Sequence, residues 1–207
     1  MKTSATSEST RAPKEQALTI TRSGKRFLFW VFLALFTVSF SQPIAATAEA
    51  CVPLLADGSL EEGTAWKVKN SDGFPLLSQQ LVRTGRQAAY LGGRYNVADR
   101  LATVLRLPAT DQTITLRFWW QLQSQEQRVG GNDRLTVLVA NKQSLPLQTL
   151  VELNGRNVVH DWQSMSIDLT HFAGQMIELQ FLASTDAELN TDFFIDDIEV
   201  VACDSAG

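Results

Sequence analysis

The chain carries very few of the side chains that do chemistry. It has two cysteines and two histidines in 207 residues. Two cysteines are too few for a disulfide-dense miniprotein or a multi-cysteine zinc site. The histidines, His160 and His171, lack the H-x-x-x-H spacing of a helical zinc site. No G-x-S-x-G elbow accompanies them, so a Ser-His-Asp hydrolase has no support. Twelve glycines without a period exclude collagen. No glycine-rich phosphate loop occurs either, since Gly130-Gly131 reads as a hairpin signal. A net charge of −4 with 44% hydrophobic residues excludes a disordered chain. The acidic balance, without any basic-aromatic stripe, argues against a nucleic-acid binder.

What is present divides sharply near residue 50. Residues 1–26 carry Lys2, Arg11, Lys14, Arg22, Lys25 and Arg26 against Glu8 and Glu15. An uncharged run, FLFWVFLALFTVSF, follows at residues 27–40, and then SQPIAATAEA before Cys51. A positive n-region, an apolar h-region and an Ala48-Glu49-Ala50 site make a secretory signal peptide. An uncleaved membrane anchor over residues 27–47 is the alternative, at the length a bilayer requires. Ser41-Gln42-Pro43 interrupts that span. Lipidation of Cys51 is a third reading, for which Glu49 is out of place. All three put residues 51–207 outside the cytoplasm, secreted or at the cell surface, with any membrane contact made through the N-terminal segment. The leader takes six basic and three acidic residues, which leaves the remainder at −7.

Cys51 and Cys203 stand near the two ends of that remainder. An even pair in an oxidising compartment reads as a disulfide, the alternative being two free thiols. The bond would tie first strand to last.

Period-two alternation dominates residues 51–207. In Thr113–Gln123, Ile114, Leu116, Phe118, Trp120 and Leu122 point one way, while Arg117, Trp119, Gln121 and Gln123 point the other. Similar strands are read at Arg100–Leu107, Arg134–Ala140, Trp162–Leu169, Met176–Ala183 and Asp192–Ala202. Shorter ones fall at Val52–Leu55, Thr64–Lys69, Gln87–Gly92 and Thr149–Leu153. Turn signals such as Asp72-Gly73, Gly92-Gly93 and Asn154-Gly155 separate them. No helical period persists over a dozen residues, and Thr170–Gly174 offers at most one short turn. The reading is all-β: a single antiparallel sandwich or barrel over residues 51–207, preceded by a signal or anchor helix in residues 1–50.

Five segments also resemble bacterial extracellular jelly-roll domains of the carbohydrate-binding-module-like and MAM-like type. GSLEEGTAW (residues 58–66) resembles their G-D-F-E-x-G…W opening, with Leu60 where Phe is usual. TLRFWWQ (residues 115–121) resembles the L-x-F-W-[YW] strand. Asn132-Asp133-Arg134-Leu135-Thr136-Val137 resembles the D-x-L-x-V strand. Trp162, then Ile167-Asp168-Leu169 and His171-Phe172-Ala173-Gly174, resembles the turn W…x-D-L-S-x-[YF]-x-G. Phe193-Phe194-Ile195-Asp196-Asp197-Ile198 resembles the closing F-[FY]-I-D-D-[VI] strand. The resemblance implies a jelly-roll β-sandwich. It also implies a structural calcium joining the opening Glu to the closing Asp pair, here Glu61 with Asp197 and Asp196, or Glu62. Carboxylates from both chain ends would suit a hard cation.

For ligand binding, Trp119 is the first candidate. It shares a polar strand face with Arg117, Gln121 and Gln123, the company a sugar-stacking ring keeps. The competing reading packs Trp119 beneath a loop such as Leu122–Arg134. Trp120 belongs to the core with Phe118, and Trp66 and Trp162 to the framework. Tyr90 and Tyr95, read in a loop, are weaker candidates. His160, read in the loop Asn157–Asp161, and His171, in a turn, read as solvated or turn-capping. These observations together predict an exported, non-catalytic recognition module that binds a glycan. The alternative is a MAM-like adhesion or assembly module that binds a cell-surface protein.

Overall fold

The computed structural model describes residues 50–126 and 132–204. The expected signal or anchor helix lies outside the described residues. Among those described, no helix is long and apolar enough to cross a membrane.

The described residues form two antiparallel sheets. The strands are β1 (Cys51–Pro53), β2 (Lys67–Lys69), β3 (Leu77–Ser78), β4 (Ala88–Gly92), β5 (Ala98–Arg106), β6 (Thr113–Ser124), β7 (Arg134–Ala140), β8 (Pro146–Asn154), β9 (Val159–Asp168), β10 (Met176–Ser184) and β11 (Thr191–Cys203). One turn of 3₁₀ helix, Thr170–Phe172, precedes β10. The first sheet runs β3-β4-β11-β6-β9, with β1 also on β11. The second runs β2-β5-β10-β7-β8. From β4 to β11 the chain switches sheets at every connection except β7–β8, so both inner faces contribute to one core.

That core follows the alternation in the sequence. Ile114, Leu116, Phe118 and Leu122 of β6 are fully buried, as are Leu135, Val137 and Val139 of β7 and Ile177, Leu179 and Phe181 of β10. Phe118 from the first sheet meets Phe181 from the second edge-on, ring centroids 5.4 Å apart. Trp66 lies against the same Phe181 at 6.2 Å. Leu60, in the place where Phe is usual, is also fully buried. It adopts a left-handed backbone, φ +64°, in a turn closed by its amide on Asp57 O. Such a conformation is unfavourable for leucine and is held by the surrounding packing.

Cys51 and Cys203 form a disulfide and are also paired in register across β1 and β11. First and last strand are therefore joined by backbone and side chain together.

Three elements differ from the sequence reading. His160 lies within β9, which begins at Val159 and not at Trp162. Tyr90 lies within β4, not in a loop. Strand β3 has two residues, too short to show any period. Strand β4, AAYLG, is buried on both faces and so shows no alternation.

Candidate functional site

The outer face of the first sheet is organised around β6. Register places Trp119 between Asp196 of β11 and Ser164 of β9, and Arg117 between Glu199 and Ser166. Directly opposed residues share a face. Two cross-strand rows therefore stand side by side, each with an aromatic or cationic centre and a hydroxyl flank.

Strand β11 is irregular at this point. Its register on β6 shifts between Asp196 and Glu199, and Asp197 takes φ +45°. This bulge interrupts the outer edge of β11 between the stretch paired to β4 and the stretch paired to β1. Residues of the β3–β4 loop fill the interruption. The amides of Arg83 and Thr84 both donate to Asp196 Oδ2, at 2.9 and 3.1 Å, and the amide of Asp197 donates to Asp196 Oδ1 at 2.8 Å. Asp196 has no exposed surface. Burial pushes its carboxyl above the usual range despite those three donors. On the other side of the gap, Gly58 O accepts the Ile198 amide at 2.8 Å. A Cβ on Gly58 would lie 1.8 Å from Ile198 O, so only glycine permits that approach.

The same loop reaches over Trp119. The Arg83 guanidinium pairs with Asp197 and stacks on the Trp119 ring, Cζ 3.7 Å from its centroid. A cleft of about 510 Å³ opens beside this stack, lined by Arg83, Arg117, Trp119, Ser164, Ser166 and Glu199 among others. It offers a half-buried ring, two guanidinium groups, two hydroxyls and two carboxylates, Glu199 and the Asp197 that pairs with Arg83. His160 and His171 serve opposite ends of β6: Val159, beside His160, pairs with Leu122, and the turn holding His171 bonds Ile114. That separation is about 27 Å along the strand.

The four side chains expected to act together are split. Arg117 and Trp119 line the cleft. Gln121 is buried, its amide donating to His160 O at 2.7 Å. Gln123 lines a separate cleft of about 240 Å³ with Gln125, His160, Asn190 and Asp192. The cause is local: the pairing of β6 with β9 shifts between Trp120 and Leu122. Ser164, Ser166, Glu199 and Arg83 were not anticipated. The serines carry a usable signal, because they occupy the phase opposite Met165 and Ile167 in β9. Arg83 carries none, being a loop residue. Arg83 covers part of the Trp119 ring; the middle of the loop Leu122–Arg134, the cover expected from the sequence, lies outside the described residues. Tyr90 is no platform: it is buried, stacked on Phe194 at 5.0 Å, and donates to Asp192 at 2.7 Å. Burial first, and the Asp192 carboxylate next, push its phenol well above the ordinary range.

The acids expected to hold calcium do not converge. Glu61 accepts the amides of Arg86 and Gln87 at 2.8 and 3.1 Å, and these donors hold its carboxyl below the usual range. Gly85, at φ +71°, lets the loop close there, since a Cβ would lie 2.3 Å from Glu61 Oε1. Asp196 is taken by amides and Asp197 by Arg83 and Thr84. Backbone N–H groups and arginines thus do at these residues what a cation would do. Among the described residues, the acidic side chains whose oxygens do converge are Glu126, Asp133 and Asp186, all within 4.8 Å of one another.

No family model matches the chain, and no curated protein matches it. Its similarity is to solved folds. A carbohydrate-binding module, TmCBM61, solved in complex with β-1,4-galactotriose, is 16% identical with a TM-score of 0.53, covering 72% of this chain and 97% of that one. The K3 cleaved adhesin domain of Lys-gingipain from Porphyromonas gingivalis W83 is 16% identical with a TM-score of 0.50, covering 75% of this chain and 99% of that one. At such identities the likeness is one of fold: a carbohydrate-binding-module-like β-sandwich.

Proposed function

We propose that residues 51–207 form an exported, non-catalytic recognition module that binds a glycan in the cleft on the outer face of the first sheet. One observation carries this reading: Trp119 stands in an open cleft beside two guanidinium groups, two serine hydroxyls and Glu199. A pyranose needs an apolar ring for its C–H face and directional partners for its hydroxyls, and the cleft supplies both. Arg83 occupies one part of the ring and fixes its angle, so the sugar stacks against what Arg83 leaves uncovered. The Cys51–Cys203 bond and the leader-like residues 1–50 support export with cleavage before Cys51.

An array of glycans probed with the purified protein tests this reading. β-1,4-galactotriose is the first probe, because a similarly folded module was solved with it. Binding that disappears with Trp119→Ala supports the cleft. Binding that survives the substitution removes the cleft from the account. Failure to bind any glycan favours the second reading, an adhesion module for a protein surface, to which the fold likeness to an adhesin domain lends support.

A further inference from the structure

We propose that Glu126, Asp133 and Asp186 bind a calcium ion that clamps the two sheets together at one end of the sandwich. The inference does not depend on the glycan reading, since none of the three lines the Trp119 cleft. Glu126 lies just past β6 of the first sheet, Asp133 just before β7 of the second, and Asp186 just past β10 of the second. Three strand ends from both layers therefore present carboxylates to one point.

The cluster is built, not merely acidic. Glu126 Oε2 accepts the Asp133 amide at 3.2 Å, Asp133 Oδ1 accepts the Asp186 amide at 2.8 Å, and Asp186 Oδ1 accepts the Glu188 amide at 2.7 Å. Each carboxylate spends one oxygen on the backbone, which fixes its orientation. The packing is tight as well, for a Cβ on Gly155 would lie 2.7 Å from Glu126 Oε2.

A second observation points to a ligand. Asp133 has no exposed surface, and its Oδ2 is buried without a hydrogen-bond partner. A buried acceptor left unpaired is costly and rare in a native fold. Glu126 is also buried. Among the described residues no lysine, arginine or histidine pairs with any of the three acids. Three carboxylates within 4.8 Å, two of them out of water and none paired with a cationic side chain among the described residues, call for positive charge.

The donor set selects the ion. All three donors are hard oxygens, which favours calcium or magnesium over zinc or copper. Calcium–oxygen distances of about 2.3–2.6 Å let two ligands stand up to about 5 Å apart, which accommodates the observed spread. Magnesium demands about 2.0–2.1 Å and near-octahedral order, and fits a cage of three fixed protein carboxylates less well.

The test is thermal unfolding and calorimetric titration of the full chain with calcium, with magnesium, and in chelator. One calcium per chain is expected, with the unfolding midpoint raised by about 5–10 °C at a hundredfold excess over the dissociation constant. Asp133→Asn and, separately, Glu126→Gln should abolish that rise while folding in chelator, as read by circular dichroism. Asp186→Asn provides a third arm if either fails to fold. Glu61→Gln should keep the full rise. No heat and no shift with calcium would overturn the proposal. So would a rise that survives Asp133→Asn and Glu126→Gln, or one lost in Glu61→Gln alone, which would move the ion to the other acids.

Discussion

The Arg83 guanidinium carbon lies 3.7 Å from the centroid of the Trp119 ring, and the same side chain pairs with Asp197 in the β11 bulge. One loop arginine thus links an irregular strand to the aromatic centre of the cleft. The stack holds Trp119 at a fixed angle. Both partners are partly exposed, so the ion pair is screened and contributes modestly. We expect Arg83→Ala to cost about 1–2 kcal/mol in a urea melt, from the cation–π contact and the pair together. Tryptophan emission should move to longer wavelength as the ring is uncovered. The shift should be absent when Trp119→Phe is added. An unchanged spectrum would show that Arg83 does not cover the ring in solution.

Asp196 is the acceptor that closes the gap in β11. Asp196→Asn keeps the size but replaces one oxygen with a donor, which then faces backbone N–H groups. At least one of the three amides it serves is left unpaired, at a cost of about 1–3 kcal/mol. Hydrogen exchange localises the effect: the amides of Arg83, Thr84 and Asp197 should lose protection while those of β7 keep theirs. Equal protection in both forms would contradict the role assigned to this carboxylate.

How much of this was legible in the sequence depended on burial pattern. Strand β7 runs from Arg134 to Ala140 as its alternation indicates, because Leu135, Val137 and Val139 all face the core, although Leu138 and Ala140 on the other face are buried too. Strand β4 lacks alternation because both faces are covered, yet it is legible as the short strand Gln87–Gly92, while β8 looked weak because it is an edge strand that begins at Pro146 and exposes much of its length. The site was half legible. Alternation along β6 finds Arg117 and Trp119, but a shift in the β6–β9 pairing buries Gln121 and sends Gln123 to another cleft. No period in the β3–β4 loop points to Arg83. The cluster of Glu126, Asp133 and Asp186 was hidden for a different reason: the three acids come from separate strand ends and converge only when the sheets stack.

The disulfide closes a loop of 152 residues between the first and last strands. In the chain-entropy model so long a loop contributes about 5 kcal/mol. Cys51→Ser with Cys203→Ser should therefore lower the unfolding midpoint by roughly 10–20 °C for a domain of this size. A thiol assay on the denatured, unreduced wild-type protein should find no free thiol. Two reactive thiols would contradict the bond.

Acid should weaken one identifiable contact on the second sheet. Glu178 is buried, which pushes its carboxyl up, yet the Ser144 hydroxyl, Arg100 and Gln180 outweigh burial and hold it below the ordinary value of 4.5. A depressed folded-state value stabilises above the unfolded value, and that contribution is lost as pH falls through the folded one. Arg100→Met should therefore cost about 1–3 kcal/mol near neutral pH. The deficit should shrink steadily below about pH 4.5. A deficit that stays constant down to pH 3 would mean that Arg100 stabilises by packing alone.

The central claim is that Trp119 and its cleft bind a glycan. Isothermal titration of β-1,4-galactotriose, or of the strongest glycan found on an array, into the wild-type chain and into Trp119→Ala tests it most directly. The account predicts one saturable site in the wild type and at least a tenfold loss of affinity in the variant, about 1.4 kcal/mol, with the variant still folded as read by circular dichroism. Equal affinity in the two proteins would contradict it.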